Sequence, residues 1–236
     1  MSGYFYAIGG ANYDKNESLS IDLDIIKETK KTNPIVLLID AASGDREKAI
    51  KFKEYYEKLG SCVNLLPDDL TKEIILNEID KADVVYLSGG ITSRLRDFFL
   101  KYELLNPTIN AYKNGKIIVG VSAGAILFFE YGFGDKEAYQ FNLETVNYKV
   151  TPGLGIFKGL YCPHYQNSGL LCFHDEVKNH LMDAFAIENG ASLKINDGGY
   201  CIIKEKGTNA FKFSYSLNHK LIYLSKDNFY KENLFK

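Results

Sequence analysis

The segment Ile117-Ile118-Val119-Gly120-Val121-Ser122-Ala123-Gly124-Ala125 constrains this chain more than any other. An apolar run this short, without polar alternation, is what a strand buried on both faces of a parallel sheet requires, and the residues from Ala123 to Phe129 are compatible with a helix. A strand that turns sharply into a helix needs small neighbours, and Gly120 and Gly124 provide them. At such a corner the Ser122 hydroxyl stands clear of the sheet. The Ala123 amide, at the helix start, points toward an oxyanion formed beside it. Gly-x-Ser-x-Gly also occurs where a helix packs closely on a strand or binds phosphate. The strand before it and the helix after it favour a nucleophile.

The preceding residues repeat the same alternation. Tyr4 to Ile8 reads as a strand ending in Gly9-Gly10, and Ile21 to Lys30 carries apolar residues at helical spacing. After Asn33-Pro34 come a strand (Ile35 to Ile39), a charged amphipathic helix (Arg46 to Leu59) and a strand (Cys62 to Leu66). A helix from Thr71 to Ala82 then leads into Val84-Val85-Tyr86-Leu87. This order predicts an α/β fold: a parallel sheet, mixed at its edge, with helices on both faces. We expect a single α/β hydrolytic domain over residues 1–236 with a β-rich C-terminal extension from about residue 200. Phe211, Phe213 and Tyr215, then Leu221 and Tyr223, alternate there as edge strands do. That extension is expected either to close the sheet or to form a homodimer contact.

Ligands gather at the carboxyl ends of parallel strands, so the loops after each strand carry the candidate site. Ser88-Gly89-Gly90-Ile91-Thr92-Ser93 follows the Val84 strand. Gly90 is a candidate second oxyanion donor, although a tight turn with Thr92 or Ser93 capping a helix from Arg94 to Leu100 explains the same residues. Residues Glu137 to Tyr148 read as loop or short strand near the site. Further on, Gly159-Leu160-Tyr161-Cys162-Pro163-His164 places an imidazole at a strand terminus, where it can serve Ser122 as general base. His174 and His180 fall in an expected helix from Phe173 to Phe185 and read as solvated; His219 falls in a polar turn. A third group must orient the imidazole. Glu188, after the apolar run Ala184 to Ile187, is the favoured candidate, with Asn189 able to hold the same position and Asp135 as an outside choice. Asp175, Glu176 and Asp183 read as the charged face of the helix, and Asp197 as part of a hairpin turn.

Composition excludes several other classes. With 28 Lys+Arg against 30 Asp+Glu, the net charge of −2 gives no electrostatic reason to expect nucleic acid as a partner. No stretch approaches transmembrane length, and the N-terminus lacks a charged segment followed by an apolar signal core, so no membrane partner and a cytoplasmic location are expected. The 4 cysteines are scattered without the paired spacing of a zinc site or a disulfide framework.

Gly89-Gly90, then Gly120-Val121-Ser122-Ala123-Gly124-Ala125, Gly153-Leu154-Gly155 and Cys162-Pro163-His164-Tyr165, in this order and spacing, resemble peptidase family S51, the group of peptidase E and cyanophycinase. The resemblance spans Tyr4 to about Ile203. It implies a class I glutamine amidotransferase-like fold, a serine-type peptidase acting on small peptides, a Ser-His-Glu or Ser-His-Asp triad, and no metal or cofactor. Position by position it makes Ser122 the nucleophile, His164 the base, Gly90 and Ala123 the oxyanion donors and Glu188 the acid, with Asn189 as the alternative alignment. Thr92, Gln166 and Asn167 adjoin these motifs and are the expected substrate contacts. Two positions depart from the family. Ile91 stands where Asn or Asp is usual, and Tyr165 to Leu171 lacks the arginine that aspartyl-specific members carry after the histidine. Peptide or amide hydrolysis is therefore expected without a preference for aspartate. A binding module without turnover, or a hydrolase of non-peptide amides, are the alternatives on the same fold.

Overall fold

The alternation read from the sequence becomes the parallel part of a large sheet. The computed structural model describes residues 2–135, 148–166 and 170–236. Strands β1 (Tyr4–Ile8), β2 (Ile35–Ile39), β3 (Cys62–Leu65), β4 (Val84–Leu87) and β5 (Ile117–Val121) run parallel in the order β1-β5-β4-β2-β3. Helices α1 (Leu19–Glu28), α2 (Arg46–Lys58), α3 (Lys72–Lys81), α4 (Thr92–Lys101) and α5 (Leu105–Lys113) connect them. Capping sets several starts. Asp45 accepts from the amides of Glu47 and Lys48 to open α2, and Thr71 accepts from Ile74 to open α3. The short helix α6 (Ala123–Phe128) leaves β5 directly and passes into β6 (Phe129–Asp135).

Two faces of the sheet are covered differently. Tyr6, Ile8, Val36, Leu38, Tyr86 and Val119 point to one face and pack with Ile21 and Ile25 of α1 and Phe52 and Tyr56 of α2. Their neighbours Phe5, Ala7, Leu37, Val85 and Ile118 point the other way, as the two-residue period of a strand requires. On that side they meet α6 and a second sheet. The second sheet is built from β6, β7 (Tyr148–Pro152), β8 (Phe157–Cys162), β9 (Ala184–Ile187), β12 (Ala210–Ser214) and β13 (Lys220–Tyr223), in the order β13-β12-β9-β8-β6-β7. Phe5 joins the layers, its ring 5.0 Å from that of Phe157 and 5.2 Å from that of Phe128. The Tyr161 hydroxyl crosses the same boundary to donate to the carbonyl of Ala7 at 3.0 Å.

The parallel sheet with an antiparallel edge is as expected: β10 (Ala191–Asn196), β11 (Gly199–Lys204) and β14 (Phe229–Tyr230) extend it antiparallel beyond β1. The second sheet is not, because its strands come from segments far apart in the chain and the pattern of no single one sets their pairing. The helix expected from Phe173 to Phe185 is shorter. It becomes α7 (Leu170–Lys178), and the apolar residues Ala184 to Ile187 leave it to form β9 between β8 and β12. Helix α4 starts at Thr92 rather than Arg94, with neither Thr92 nor Ser93 as its cap. Phe211 and Phe213 lie in β12, Leu221 and Tyr223 in β13, so this part of the C-terminal segment completes the second sheet.

Candidate active site

Strand register delivers the candidate residues to one edge. Ile8 pairs with Val121 and Leu87 with Gly120, so Gly9-Gly10, Ser122 and Ser88-Gly89-Gly90 all leave the carboxyl ends of three adjacent strands. Ser122 turns the corner with φ 52° and ψ −110°, a region that few side-chain-bearing residues occupy. Its amide donates to the Ile8 carbonyl at 3.0 Å, and its carbonyl accepts from Ile126 at 2.9 Å. The corner closes only because Gly124 has no side chain: a Cβ there would lie 2.4 Å from the Leu87 carbonyl oxygen.

His164 arrives from the second sheet. It follows β8 through Pro163, also at positive φ (53°), and its amide donates to the Gly9 carbonyl at 3.0 Å. The ring then spans two partners. Nε2 stands 2.9 Å from the Ser122 hydroxyl, and Nδ1 stands 2.6 Å from Oδ1 of Asn189. In the tautomer protonated on Nδ1, the ring donates to Asn189 and leaves the Nε2 lone pair facing the serine proton.

Asn189 is held from three sides. Its amide donates to Oε1 of Gln166 at 2.9 Å, and the next residue, Gly190, donates to the Gly10 carbonyl at 2.9 Å. Gly10 presses directly on the pair: a Cβ there would lie 2.1 Å from Asn189 Oδ1 and 2.6 Å from His164 Nδ1.

Glu188, expected as the third group, is elsewhere. Its carboxylate accepts from the Asn209 amide at 2.7 Å and from the Asn209 side chain, tying β9 to the start of β12. The apolar run Ala184 to Ile187 forms strand β9, and the chain beyond it presents Asn189 to the ring and ties Glu188 to Asn209. Among the described residues, none of the other candidate acids is hydrogen-bonded to His164. Asp175 pairs with Lys178, Glu176 with His180, Asp183 with Lys212, and Asp197 accepts from Ser2 and Tyr112. His174, expected to be solvated, is hydrogen-bonded to the Tyr165 hydroxyl at 2.7 Å and packs against Phe213.

A cleft of about 460 Å³ opens beside the pair, lined by Gly89, Gly90, Ser122 and His164. Thr92 is not part of its wall, and the Gln166 carbonyl oxygen is used on the Asn189 amide. Asn167, the side chain of Asp135 and the stretch 136–147 lie outside the described residues. The sequence reading assigns Gly10, Ser88, Asp40 and Arg94 no role in the site. Ser88, Asp40 and Arg94 line the cleft, and Gly10 adjoins it beside His164. Burial pushes the Asp40 carboxyl above its usual range. The position of Asp40 straight after β2, the next strand beyond β4, is the signal that places it at this edge. Among the described residues, no group of His, Cys, Asp and Glu is arranged to hold a metal ion. None of their helices is long and apolar enough to cross a membrane.

A layered α/β chain with a serine and a histidine hydrogen-bonded at the carboxyl edge of its sheet has the form of a hydrolase. Comparison makes this specific. The model of peptidase family S51 matches residues 5–203. A Bacillus subtilis (strain 168) protein described as the uncharacterized peptidase YgaJ is 30% identical over 202 residues, 81% of this chain and 83% of that one. Two solved structures share the fold. One, of a peptidase from an acI-B1 actinobacterium, superposes with a TM-score of 0.73 at 15% identity and covers 98% of both chains. The other, from Listeria monocytogenes EGD-e and described as a candidate peptidase E protein, gives 0.64 at 18% identity over 87% of this chain and 100% of that one. The chain belongs to peptidase family S51 and is a hydrolase of the peptidase class.

Proposed function

We propose that the protein is a serine-type peptidase that hydrolyses small peptides through Ser122 and His164, with Asn189 in the place of the usual carboxylate. The observation that carries this reading is the continuous chain from Ser122 Oγ to His164 Nε2 at 2.9 Å and from His164 Nδ1 to Asn189 Oδ1 at 2.6 Å. His164 takes the serine proton as the oxygen attacks the peptide carbonyl, and the amides of Gly90 and Ala123 receive the oxyanion. The imidazolium then gives its proton to the leaving amine. Water, deprotonated by the same ring, releases the acyl group as a carboxylic acid. Asn189 fixes the tautomer and the ring plane; a Cys-His-Asn arrangement in other peptidases shows that an amide can fill this role.

The test is covalent labelling with a fluorophosphonate, followed by turnover of a dipeptide library by wild type and Ser122→Ala. An adduct at Ser122, and a loss of about 10⁴-fold or more in the variant, are expected. The uncharged third group favours one competing reading, a binding module without turnover. An unlabelled Ser122 decides for the module. A cleaved peptide whose rate is unchanged in Ser122→Ala removes the serine mechanism.

A further inference from the structure

The cleft beside Ser122 carries charges that the proton relay does not use. Asp45 and Lys48 largely answer each other: Asp45 caps α2, and the Lys48 ammonium lies 3.6 Å from its carboxylate. Asp40 adds a half-buried carboxyl on the same wall. Arg94 is different. It is exposed at the cleft, in the first turn of α4 and four residues after Gly90, and it makes no ion pair among the described residues. A cation in the first turn opposes the helix dipole, so this position gains nothing from its own helix. The sequence contains only two other arginines, Arg46 and Arg96, and the chain after His164 has none before Lys178.

A second observation points to a ligand at the same wall. Ser88 lines the cleft, and its hydroxyl is shielded from solvent and has no hydrogen-bond partner among the described residues. Buried hydroxyls are normally satisfied, and a turn of this side chain toward the cleft would let it take a polar group of a substrate.

We propose that Arg94 is a specificity-determining residue that binds a carboxylate of the peptide substrate, beside the bond held at Ser122. The guanidinium offers a planar fork that matches a carboxylate with two parallel hydrogen bonds, which a lysine cannot reproduce. Asp40, which lines the same cleft, repels a carboxylate, so the α4 side with Arg94 is the one that takes it. This inference rests on the peptidase reading, and the experiment separates the two.

Peptides cleaved from the dipeptide library are compared with their C-terminal amides and, where they carry Asp or Glu, with their Asn or Gln counterparts. Wild type, Arg94→Gln and Arg94→Lys are assayed on each. Arg94→Gln is expected to raise KM about tenfold for the carboxylate-bearing peptide, with kcat within about threefold, and to abolish discrimination against the neutral analogue. Arg94→Lys recovers only part of it. Loss of discrimination against the amide assigns the C-terminal carboxylate; loss against Asn or Gln assigns the acidic side chain. Unchanged discrimination in Arg94→Gln overturns the proposal. Fluorophosphonate labelling of Ser122 at the wild-type rate in Arg94→Gln shows that the variant is folded and its nucleophile intact. Should no peptide be cleaved, binding is read without turnover: Ser122→Ala and Ser122→Ala/Arg94→Gln are titrated with Ala-Ala and its C-terminal amide by calorimetry. Tighter binding of Ala-Ala by the first protein only supports the carboxylate site. Equal or absent binding by both overturns it.

Discussion

Ser122 and His164 meet at 2.9 Å but are built in opposite ways. The serine stands on a corner made by its own neighbours: β5 brings it up, Gly124 lets the chain turn, and α6 carries the chain away, all within twelve residues. The histidine side has no such local frame. It is assembled from Pro163-His164 after β8, Asn189 after β9, and Gly9-Gly10 after β1, three loops from two sheets. Both residues sit at positive φ, 52° and 53°, yet the first has a local bond, from the Ile126 amide, beside its strand contact to Ile8, while the second bonds only to distant segments. The serine half therefore depends on a strand-turn-helix signature. The histidine half depends on how two sheets dock.

The sharpest way to break this asymmetry is a change that leaves the corner intact and moves only the histidine side. Gly10→Ala does so. Its new Cβ would collide with Asn189 Oδ1 and the His164 ring, neither of which can withdraw without losing the 2.6 Å contact between them. A displacement of about 1 Å in a catalytic group costs on the order of 100-fold, so kcat should fall by at least that factor. Melting measurements should show a folded protein. Full activity in Gly10→Ala would mean that the ring is free to adjust and that the pair is not positioned as described.

Asn189 and Glu188 supply a finer comparison, since one peptide bond separates them. Asn189→Ala removes the acceptor on Nδ1 and should lower kcat by about 10-fold to 100-fold, with Asn189→Asp, which keeps an acceptor oxygen, restoring most of it. Glu188→Gln should leave kcat/KM within about threefold and cost modestly in melting temperature, because its carboxylate serves Asn209. Steady-state rates on any cleaved peptide check all three variants. The reverse ranking, with Glu188 critical and Asn189 dispensable, would show that the segment slips by one residue during turnover.

The same asymmetry explains what could be read from the sequence. The parallel strands, the corner at Ser122 and the placement of His164 at a strand end follow from runs of apolar residues and small residues at fixed spacing, which act locally. The apolar run Ala184–Ile187 was also legible, but its place in a sheet and the direction of the side chains after it were not. That direction depends on Gly190 bonding to Gly10 and on Asn209 capturing Glu188, contacts across 180 and 21 positions. Likewise the helix read as reaching Phe185 stops at Lys178, because Ala184 to Ile187 are buried more completely between β8 and β12 than on a helix face. Arg94 reached the cleft unnoticed since helical periodicity alone gives it the look of a solvated residue.

The α1 and α2 layer, on the face of the sheet opposite α6, holds the smallest effect. Asp22 of α1 is buried and accepts hydroxyl hydrogen bonds from Tyr56 at 2.5 Å, Ser18 at 2.8 Å and Tyr55 at 3.0 Å. Burial outweighs these three bonds, and with Glu205 nearby the carboxyl is pushed up to about 6 from 3.8. A raised carboxyl gives its full stabilisation below the unfolded value, and that contribution is lost as pH rises through about 6. The shift of about two units corresponds to about 3 kcal/mol, of the order of several degrees in melting temperature for a chain of this size. Asp22→Asn keeps an oxygen for the hydroxyls but cannot ionise. The melting temperature of the variant minus that of wild type should therefore increase by about 5 °C between pH 5 and pH 8, while fluorophosphonate labelling of Ser122 at pH 8 stays at the wild-type rate. A difference that stays flat with pH would place the ionisation of Asp22 outside this window. A fall in labelling would show instead that the layer beneath the sheet, and not the corner alone, sets the position of the serine.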